Sequence, residues 1–550
     1  MNILSLMLPF CSNRPWQLAV LVLFPMLACA TDPPPVPPKR EFRAVWVATF
    51  HNIDWPSAKG LTVAAQQQEF QQLVMRQRQN GMNALFVQVR PSGDALYQSD
   101  LAPWSEYVSG NQGEYPGYDP LDFMVEAAHD REMEFHAWMN PFRAISHKRF
   151  SSVSADNIAL VRPEWTFEYG ERIYLNPGIP EVREYLVAVI MEVVNGYDVD
   201  GIHFDDYFYP YETNGIPFSG DASTFNQYGQ DFTDIHDWRR HNLDLFIHEV
   251  HTQIEAKKPW VKFGISPVGI WRNKQDDPRG SQTSSSYTAY DMLHADVRFW
   301  LLKGWIDYVA PQLYWSTEHP FANYGDLLPW WAENAFGRHV YIGHAVFKLK
   351  QQRSRYWSNP SQLPIQLDLR RRYGSQVHGG AFYSAGSFES NPHGLEDLLR
   401  GQYHQYPSLI PAMPWKDPIP PRIPEKVIAR RNLEHVLISW TPPMPAADGD
   451  TAVRYVVYKF RTGQPEDLTR PEHILATVSV PYFIDLNSKS GEAVYLITAL
   501  DRLHNESAPS KAVVTTGNPR NPFFGQEMGN RGISPYPGHP VFAMPSWRNP

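Results

Sequence analysis

Eight short apolar runs, each ending in polar or aromatic residues and separated from the next by a helical pattern, constrain this chain more than any other feature. They cover 43–50, 84–90, 134–140, 201–207, 261–267, 308–315, 340–346 and 379–384. The helices between them have readable ends. Asp119 and Pro120 supply an N-cap and a first helical residue before 121–131, Pro180 opens a helix that Gly196 closes, and Gly81 ends a glutamine-rich helix over 66–80. Strand, helix, strand repeated over about 360 residues predicts an α/β fold, a (β/α)8 TIM barrel with long loops over 41–410. An open doubly wound sheet is the alternative, but no glycine-rich phosphate loop follows the first run.

A proline-rich link over 411–424 leads to a second, all-β domain over 425–517. Its short alternating runs are 427–429, 436–440, 453–460, 474–480, 493–501 and 512–516. The pattern resembles a fibronectin type III sandwich, with Trp440 as core tryptophan and 495–501 as the penultimate strand. Modules of that kind bind or space. The remaining residues, 518–550, are rich in proline, glycine and asparagine and are expected to be disordered.

Arg14 followed by the apolar stretch 18–28 has the length of a signal-peptide core, so 1–28 reads as an export signal. Met26-Leu-Ala-Cys29 resembles a bacterial lipobox with Met26 in place of the usual leucine, which makes Cys29 the lipidated first residue of the mature chain. Cleavage after Ala30 is the competing reading. The other cysteine, Cys11, lies inside the signal, so no disulfide is expected. A proline-rich spacer completes 29–40. No Asp follows Cys29, and the expected address is the outer membrane, facing the periplasm, with the membrane engaged through the lipid anchor. A net charge of −9 without a long basic run excludes nucleic acid as a partner.

The richest stretch is YDVDGIHFDDYFYP over 197–210, an apolar strand ending in adjacent carboxylates and aromatics. Alternation puts His203, Asp205 and Tyr207 on the cleft side and turns Asp206 to the other face unless a bulge intervenes. Glycosidic cleavage needs one protonated carboxyl and one ionised carboxylate. Asp205 is expected to be the ionised partner, favoured by Arg90, Arg143 or Arg272, with Asp206, Glu318 or Asp94 as the acid. The other strand ends supply Trp46, Asp54, Gln88, Trp138, Asn140, Trp271, Gln312, Tyr314, Trp315 and Tyr383 as candidate sugar contacts. His203 has no second His or Cys at ligand spacing nearby, so neither a metal nor a cofactor is predicted.

Several motifs in order carry a family resemblance: EFRAVWVAT (41–49) with DWP (54–56), VQVRP (87–91), HAWMNPFR (136–143), VDGIHFDDYFY (199–209), GISPVGIWRN (264–273) and YVAPQLYW (308–315). Together they resemble the bacterial glycosyl-hydrolase-like family ten, which includes division-site lipoproteins. The resemblance covers Glu41 to about Gln402. It implies a TIM barrel acting on peptidoglycan glycan strands, for the division-site relative on strands stripped of stem peptides, and carries the Phe-Asp-Asp motif onto Asp205 and Asp206. Another envelope or biofilm polysaccharide is the alternative substrate, and a non-catalytic glycan-binding lipoprotein the alternative role. A partial echo of the chitinase Asp-Gly-x-Asp-x-Asp-x-Glu pattern lacks its final Glu, since Tyr207 stands there. The residues name no protein partner for the second domain.

Overall fold

The computed structural model describes residues 36–515, except 148, 149, 214, 217, 352, 432–434 and 487–492. The export signal, Cys29 and the 518–550 tail lie outside the described residues. No described helix is long and apolar enough to cross a membrane.

Eight parallel strands close into a barrel: β1 (Phe42–Val47), β2 (Ala84–Arg90), β3 (Glu134–Met139), β4 (Gly201–Phe204), β5 (Lys262–Ile265), β6 (Tyr308–Val309), β7 (His339–His344) and β8 (Gly379–Phe382). Each pairs with its neighbours in sequence, and Phe42 opposite Gly379 closes the ring. The predicted runs are the barrel strands, shortened where the chain leaves the sheet to build the rim. Alternation sorts the side chains. Val45, Val47, Leu85, Val87, Ile202, Phe204, Phe263 and Ile265 pack outward under the helices, whereas Phe42, Trp46, Phe86, Trp138, Tyr308 and Tyr341 fill the lumen. The Tyr308 ring lies so close to Gly264 that an added Cβ there would fall 2.1 Å from it. Glycine on β5 is what lets this large polar ring sit on the barrel axis.

The surrounding helices begin and end where local chemistry dictates. The carboxylate of Asp119 accepts from the backbone N–H groups of Leu121 (3.0 Å) and Asp122 (3.2 Å), capping the helix Pro120–His129, a device worth about 1 kcal/mol. The helices Val63–Gln79, Pro180–Gly196 and Ile235–Lys257 follow β1, β3 and β4. An unanticipated insertion precedes Pro180–Gly196: the strands Arg143–Ile145, Thr166–Tyr169 and Arg172–Leu175 form a small antiparallel sheet beside the rim.

The C-terminal domain consists of two antiparallel sheets. One holds β9 (Glu425–Arg431), β10 (Val436–Thr441) and β13 (Tyr482–Asp485). The other holds β11 (Arg454–Arg461), β12 (Ile474–Val478), β14 (Ala493–Leu500) and β15 (Val513–Val514). Ile438 and Trp440 from the first meet Tyr455, Val457, Tyr495 and Ile497 from the second in one core.

This domain is seated on the N-terminal end of the barrel. Ile410, Met413 and Leu503 join the lumen cluster from below. Trp415 donates to Asp307 at 3.0 Å, and Lys416 pairs with the same carboxylate at 3.2 Å. The segment expected as a link is therefore a strap across the barrel floor, held by buried apolar and charge-assisted contacts. Outside the strap, Arg454 pairs with Glu132 at 3.2 Å and Arg502 with Asp198 at 2.7 Å.

Candidate active site

β4 ends at Phe204, and the backbone N–H of Ser266 still pairs with the Phe204 carbonyl at 2.8 Å. Beyond that residue the chain leaves the sheet, so strand alternation stops governing Asp206. Both carboxyls turn into the cleft, correcting the expectation that Asp206 points away. Asp205 Oδ2 accepts from the Trp138 indole N–H at 3.0 Å and from Asn140 Nδ2 at 3.2 Å, and Asp205 Oδ1 accepts from the Tyr207 backbone N–H at 3.1 Å. Asp206 Oδ1 accepts from Gln312 Nε2 at 3.0 Å, and its other oxygen accepts from the Tyr211 hydroxyl.

These donors are neutral and the site is buried, and the titration follows from that. Burial, then the adjacent charge of Asp206, push the Asp205 carboxyl up to about 7, against the pull of Arg143 and the Trp138 donor. Burial also raises Asp206, while Tyr211 and Gln312 draw it back. Both carboxyls are raised, Asp205 the more clearly because the charge of Asp206 adds to its burial. Asp205 thus favours its protonated form, reversing the ionised state expected from nearby arginines. Of those three arginines only Arg143 acts on it. The Arg143 guanidinium lies 4.7 Å over Phe50 and 4.6 Å over Tyr207. Arg272 is engaged with Asp291 at 2.9 Å and Asp277 at 3.4 Å, and the charge of enclosed Arg90 acts on Asp94 and Tyr97.

The other candidates separate into cleft residues and supports. Tyr207, Tyr314 and Tyr383 are half-buried around the pair, with Tyr383 6.1 Å from both Trp46 and Tyr314, whereas half-buried Trp315 meets His319 at 6.5 Å. Trp46 and His203 form the floor beneath it: Trp46 Nε1 donates to His203 Nε2 at 3.2 Å. Asp54 ties two loops together, accepting from the Ala48 N–H (2.7 Å), the Ser384 hydroxyl (2.7 Å) and the Gly386 N–H (2.8 Å). Gln88 accepts from the Phe50 N–H at 3.0 Å, and buried Trp271 donates to Asp296 at 2.9 Å. These bonds tie Asp54, Gln88 and Trp271 into the loops of the rim.

Neither alternative acid joins the pair. Glu318 is exposed, with its backbone N–H on Ser316 Oγ at 3.3 Å. Asp94 is buried among Ser105, Gln112 and Arg90, and burial raises its pKa. Neither hydrogen-bonds to Asp205, Asp206 or their donors. Tyr211, Phe50 and Phe347, the last packed against Tyr314 at 5.7 Å and Tyr383 at 5.8 Å, were missed by sequence reasoning. Tyr211 continues the aromatic run 207–209 just past Pro210, and that continuation was the available signal. Among the described residues, the carboxylates grouped closely enough to hold a cation are Asp417, Asp448 and Asp450, in the strap and C-terminal domain rather than at this rim.

A closed parallel barrel with two adjacent buried carboxyls at the C-terminal end of one strand, beside aromatic side chains, is of the class that binds and processes sugars. The model for the glycosyl hydrolase-like 10 family matches residues 41–359, and the chain belongs to that family. Glycosyl hydrolase YngK of Bacillus subtilis is 42% identical over 86% of this chain and 93% of its own length. Glycosyl hydrolase DigH of Escherichia coli is 37% identical over 61% of this chain and 83% of its own. Among solved structures, the PgaB (BpsB) glycoside hydrolase domain from Bordetella bronchiseptica is 13% identical, covers 66% of this chain and 98% of that domain, and superposes with a TM-score of 0.42.

Proposed function

We propose that the protein is an exported glycoside hydrolase that cleaves the glycan strands of bacterial peptidoglycan, with peptide-stripped strands as preferred substrate. The observation that carries the reading is the Asp205–Asp206 pair: two adjacent buried carboxyls after β4, held by different neutral donors, with Asp205 raised by burial and by the charge of Asp206. In this mechanism Asp205 keeps its proton near neutral pH and gives it to the leaving glycosidic oxygen. Asp206, stabilised as an anion by Tyr211 and Gln312, faces the developing positive charge at the anomeric carbon or activates water. Arg143, clamped between Phe50 and Tyr207, limits the total negative charge of the pair. The half-buried tyrosines and Trp315 offer faces to sugar rings.

The envelope address rests on the signal and lipobox, with Cys29 as the lipid anchor and the outer membrane as destination. The peptidoglycan substrate rests on that address together with the family resemblance. The seven-stranded C-terminal domain is read as a fibronectin type III module. The test is product analysis by chromatography and mass spectrometry. The mature protein, Asp205→Asn and Asp206→Asn are incubated with peptidoglycan bearing or lacking stem peptides. Glycan fragments released from peptide-free strands by the unaltered protein and by neither variant are expected. Release from capsular or biofilm polysaccharide alone would replace the substrate, and binding without turnover of any glycan would replace the activity.

A further inference from the structure

A continuous line of buried hydrogen bonds runs along the barrel axis from the C-terminal domain to the floor of the candidate site. His504 Nε2 meets Glu134 Oε1 at 2.6 Å, and Glu134 Oε2 meets His136 Nε2 at 3.0 Å. His136 Nδ1 meets the Tyr308 hydroxyl at 2.9 Å, and that hydroxyl meets His203 Nδ1 at 3.0 Å. His203 Nε2 then meets Trp46 Nε1 at 3.2 Å. Every residue in the line is at most 4% exposed.

The direction of each bond follows from one fixed end. An indole N–H can only donate, so His203 Nε2 accepts and its proton sits on Nδ1. That Nδ1–H donates to the Tyr308 oxygen, the Tyr308 hydroxyl donates to His136 Nδ1, and the His136 proton on Nε2 goes to the Glu134 carboxylate. Glu134 receives a second donor from His504 and a third, on the same oxygen as His504, from Lys262 Nζ. All tautomers are thereby set, and each ring is oriented by the group beneath it. Burial, followed by the proximity of His136, keeps His203 neutral, as its acceptor role requires.

The line ends where the chemistry is placed. His203 precedes Asp205 by two residues on the inward face of β4. Its β3 register partner, Trp138, donates to Asp205. Phe86 stacks on His203 at 4.1 Å and contacts Trp46 at 5.3 Å, so the floor moves as one packed unit. At the other end His504 adopts φ +63°, a left-handed conformation that a side chain with a Cβ resists. It is held there by Arg40, which donates to the His504 carbonyl at 2.9 Å, and by a turn in which Leu503 and Asn505 N–H groups bond Asp501 Oδ1, both at 2.9 Å.

We propose that His504 is a positioning residue for the barrel's sugar site, acting through Glu134, His136, Tyr308 and His203 on Trp46, so that the C-terminal domain completes the active site from behind. The kinetic side of this inference rests on the glycosidase reading. The orientation of Trp46 does not.

Three full-length mature variants test it. In His504→Gln the amide nitrogen occupies the place of imidazole Nε2 and still reaches Glu134. In His504→Asn, which tolerates the left-handed backbone, the nitrogen is too short to reach. Arg454→Ala removes the interface ion pair with Glu132 while leaving the line intact. Each is labelled with 5-fluorotryptophan, with the Trp46 fluorine signal assigned through Trp46→Phe, and folding is checked by circular dichroism. The expected result is a displaced or broadened Trp46 signal in His504→Asn alone, together with kcat about tenfold lower and KM within about twofold. His504→Gln and Arg454→Ala are expected to retain both the signal and the rate. An unmoved Trp46 signal in His504→Asn overturns the proposal, as does an equal displacement in Arg454→Ala, which would make the contact ordinary docking. If no glycan is turned over by the unaltered protein, the glycosidase reading fails and the fluorine signal alone decides the role of His504.

Discussion

At the rim of the barrel Asp205 and Asp206 face neutral donors and each other, whereas at the opposite end Glu134 and Glu41 face lysine, histidine and arginine. All four carboxyls are buried. Against the cost of burial, Lys262 and His504 hold Glu134 well below the usual carboxylate range. Arg43, Arg371 and Arg370 do the same for Glu41, through salt bridges of 2.7, 2.9 and 2.7 Å. Equal burial with opposite partners gives opposite protonation. The floor uses ionised carboxylates to lock strands and domain together, while the rim keeps a carboxyl that gains stability by holding its proton.

The comparison is broken or sharpened most strongly by substitution at its two poles. Asp205→Asn is expected to lower kcat on glycan strands by about a thousandfold, since it removes the group proposed as proton donor. At pH 8 it should raise the unfolding free energy by about 1 kcal/mol, because a buried acid forced to ionise is replaced by a neutral amide. Chemical denaturation checks the second half, and a loss of stability would show that the rim is no more strained than the floor. Glu134→Gln is expected to act the other way, costing about 3–5 kcal/mol through the buried Lys262 left without its counter-charge.

The pH dependence separates the ends with smaller effects. Asp205 is raised from 3.8 to about 7, so its contribution to stability is complete below pH 3.8 and is lost as pH rises through about 7. Glu134 is lowered, so its contribution is present above its unfolded value of 4.5 and is lost as pH falls toward its folded value. Melting curves across pH 3–9 should flatten between about pH 4 and 7 in Asp205→Asn and below about pH 4.5 in Glu134→Gln. For activity, kcat should decline as pH rises through about 7, where Asp205 loses its proton. Trp138→Phe, which removes a donor to the Asp205 anion, should move that limb upward in pH with a rate change of a few-fold. The smallest effect is expected at Arg162 and Glu164, an exposed pair at 3.3 Å, where Glu164→Gln should alter stability by less than about 0.5 kcal/mol.

The barrel was legible because each strand alternates between an outward aliphatic face and a lumen face, and because Pro, Gly and Asp mark the helix ends. Asp205 was legible for the same reason. Asp206 was named as a candidate, but the face it takes was not legible, since alternation ceases at Phe204 and the next turn is set by Tyr211 and Gln312, contacts that local sequence does not encode. The protonation of Asp205 depends on burial and on a neighbouring charge, so arginines in sequence proximity gave the wrong sign. Asp54 and Gln88 looked like sugar contacts because polar residues at strand ends serve chemistry and loop bonding alike. The three-stranded insertion has strands of three or four residues, too short for a periodic signal. The strap looked like a spacer because proline content reports stiffness, not what Met413 and Trp415 pack against.

The placement of Leu503 and His504 has a consequence for how the molecule is made. These residues are among the last of the described chain to be synthesised, yet they occupy the floor of a barrel whose first strand begins at Phe42. Until they arrive, Glu134 and Lys262 lie at an unsealed floor, and the longest-range contacts of the fold are unformed. A polypeptide ending before Asp501 is expected to remain incompletely packed and sensitive to proteases, so the floor of the barrel is sealed only after nearly all of the described chain has been made.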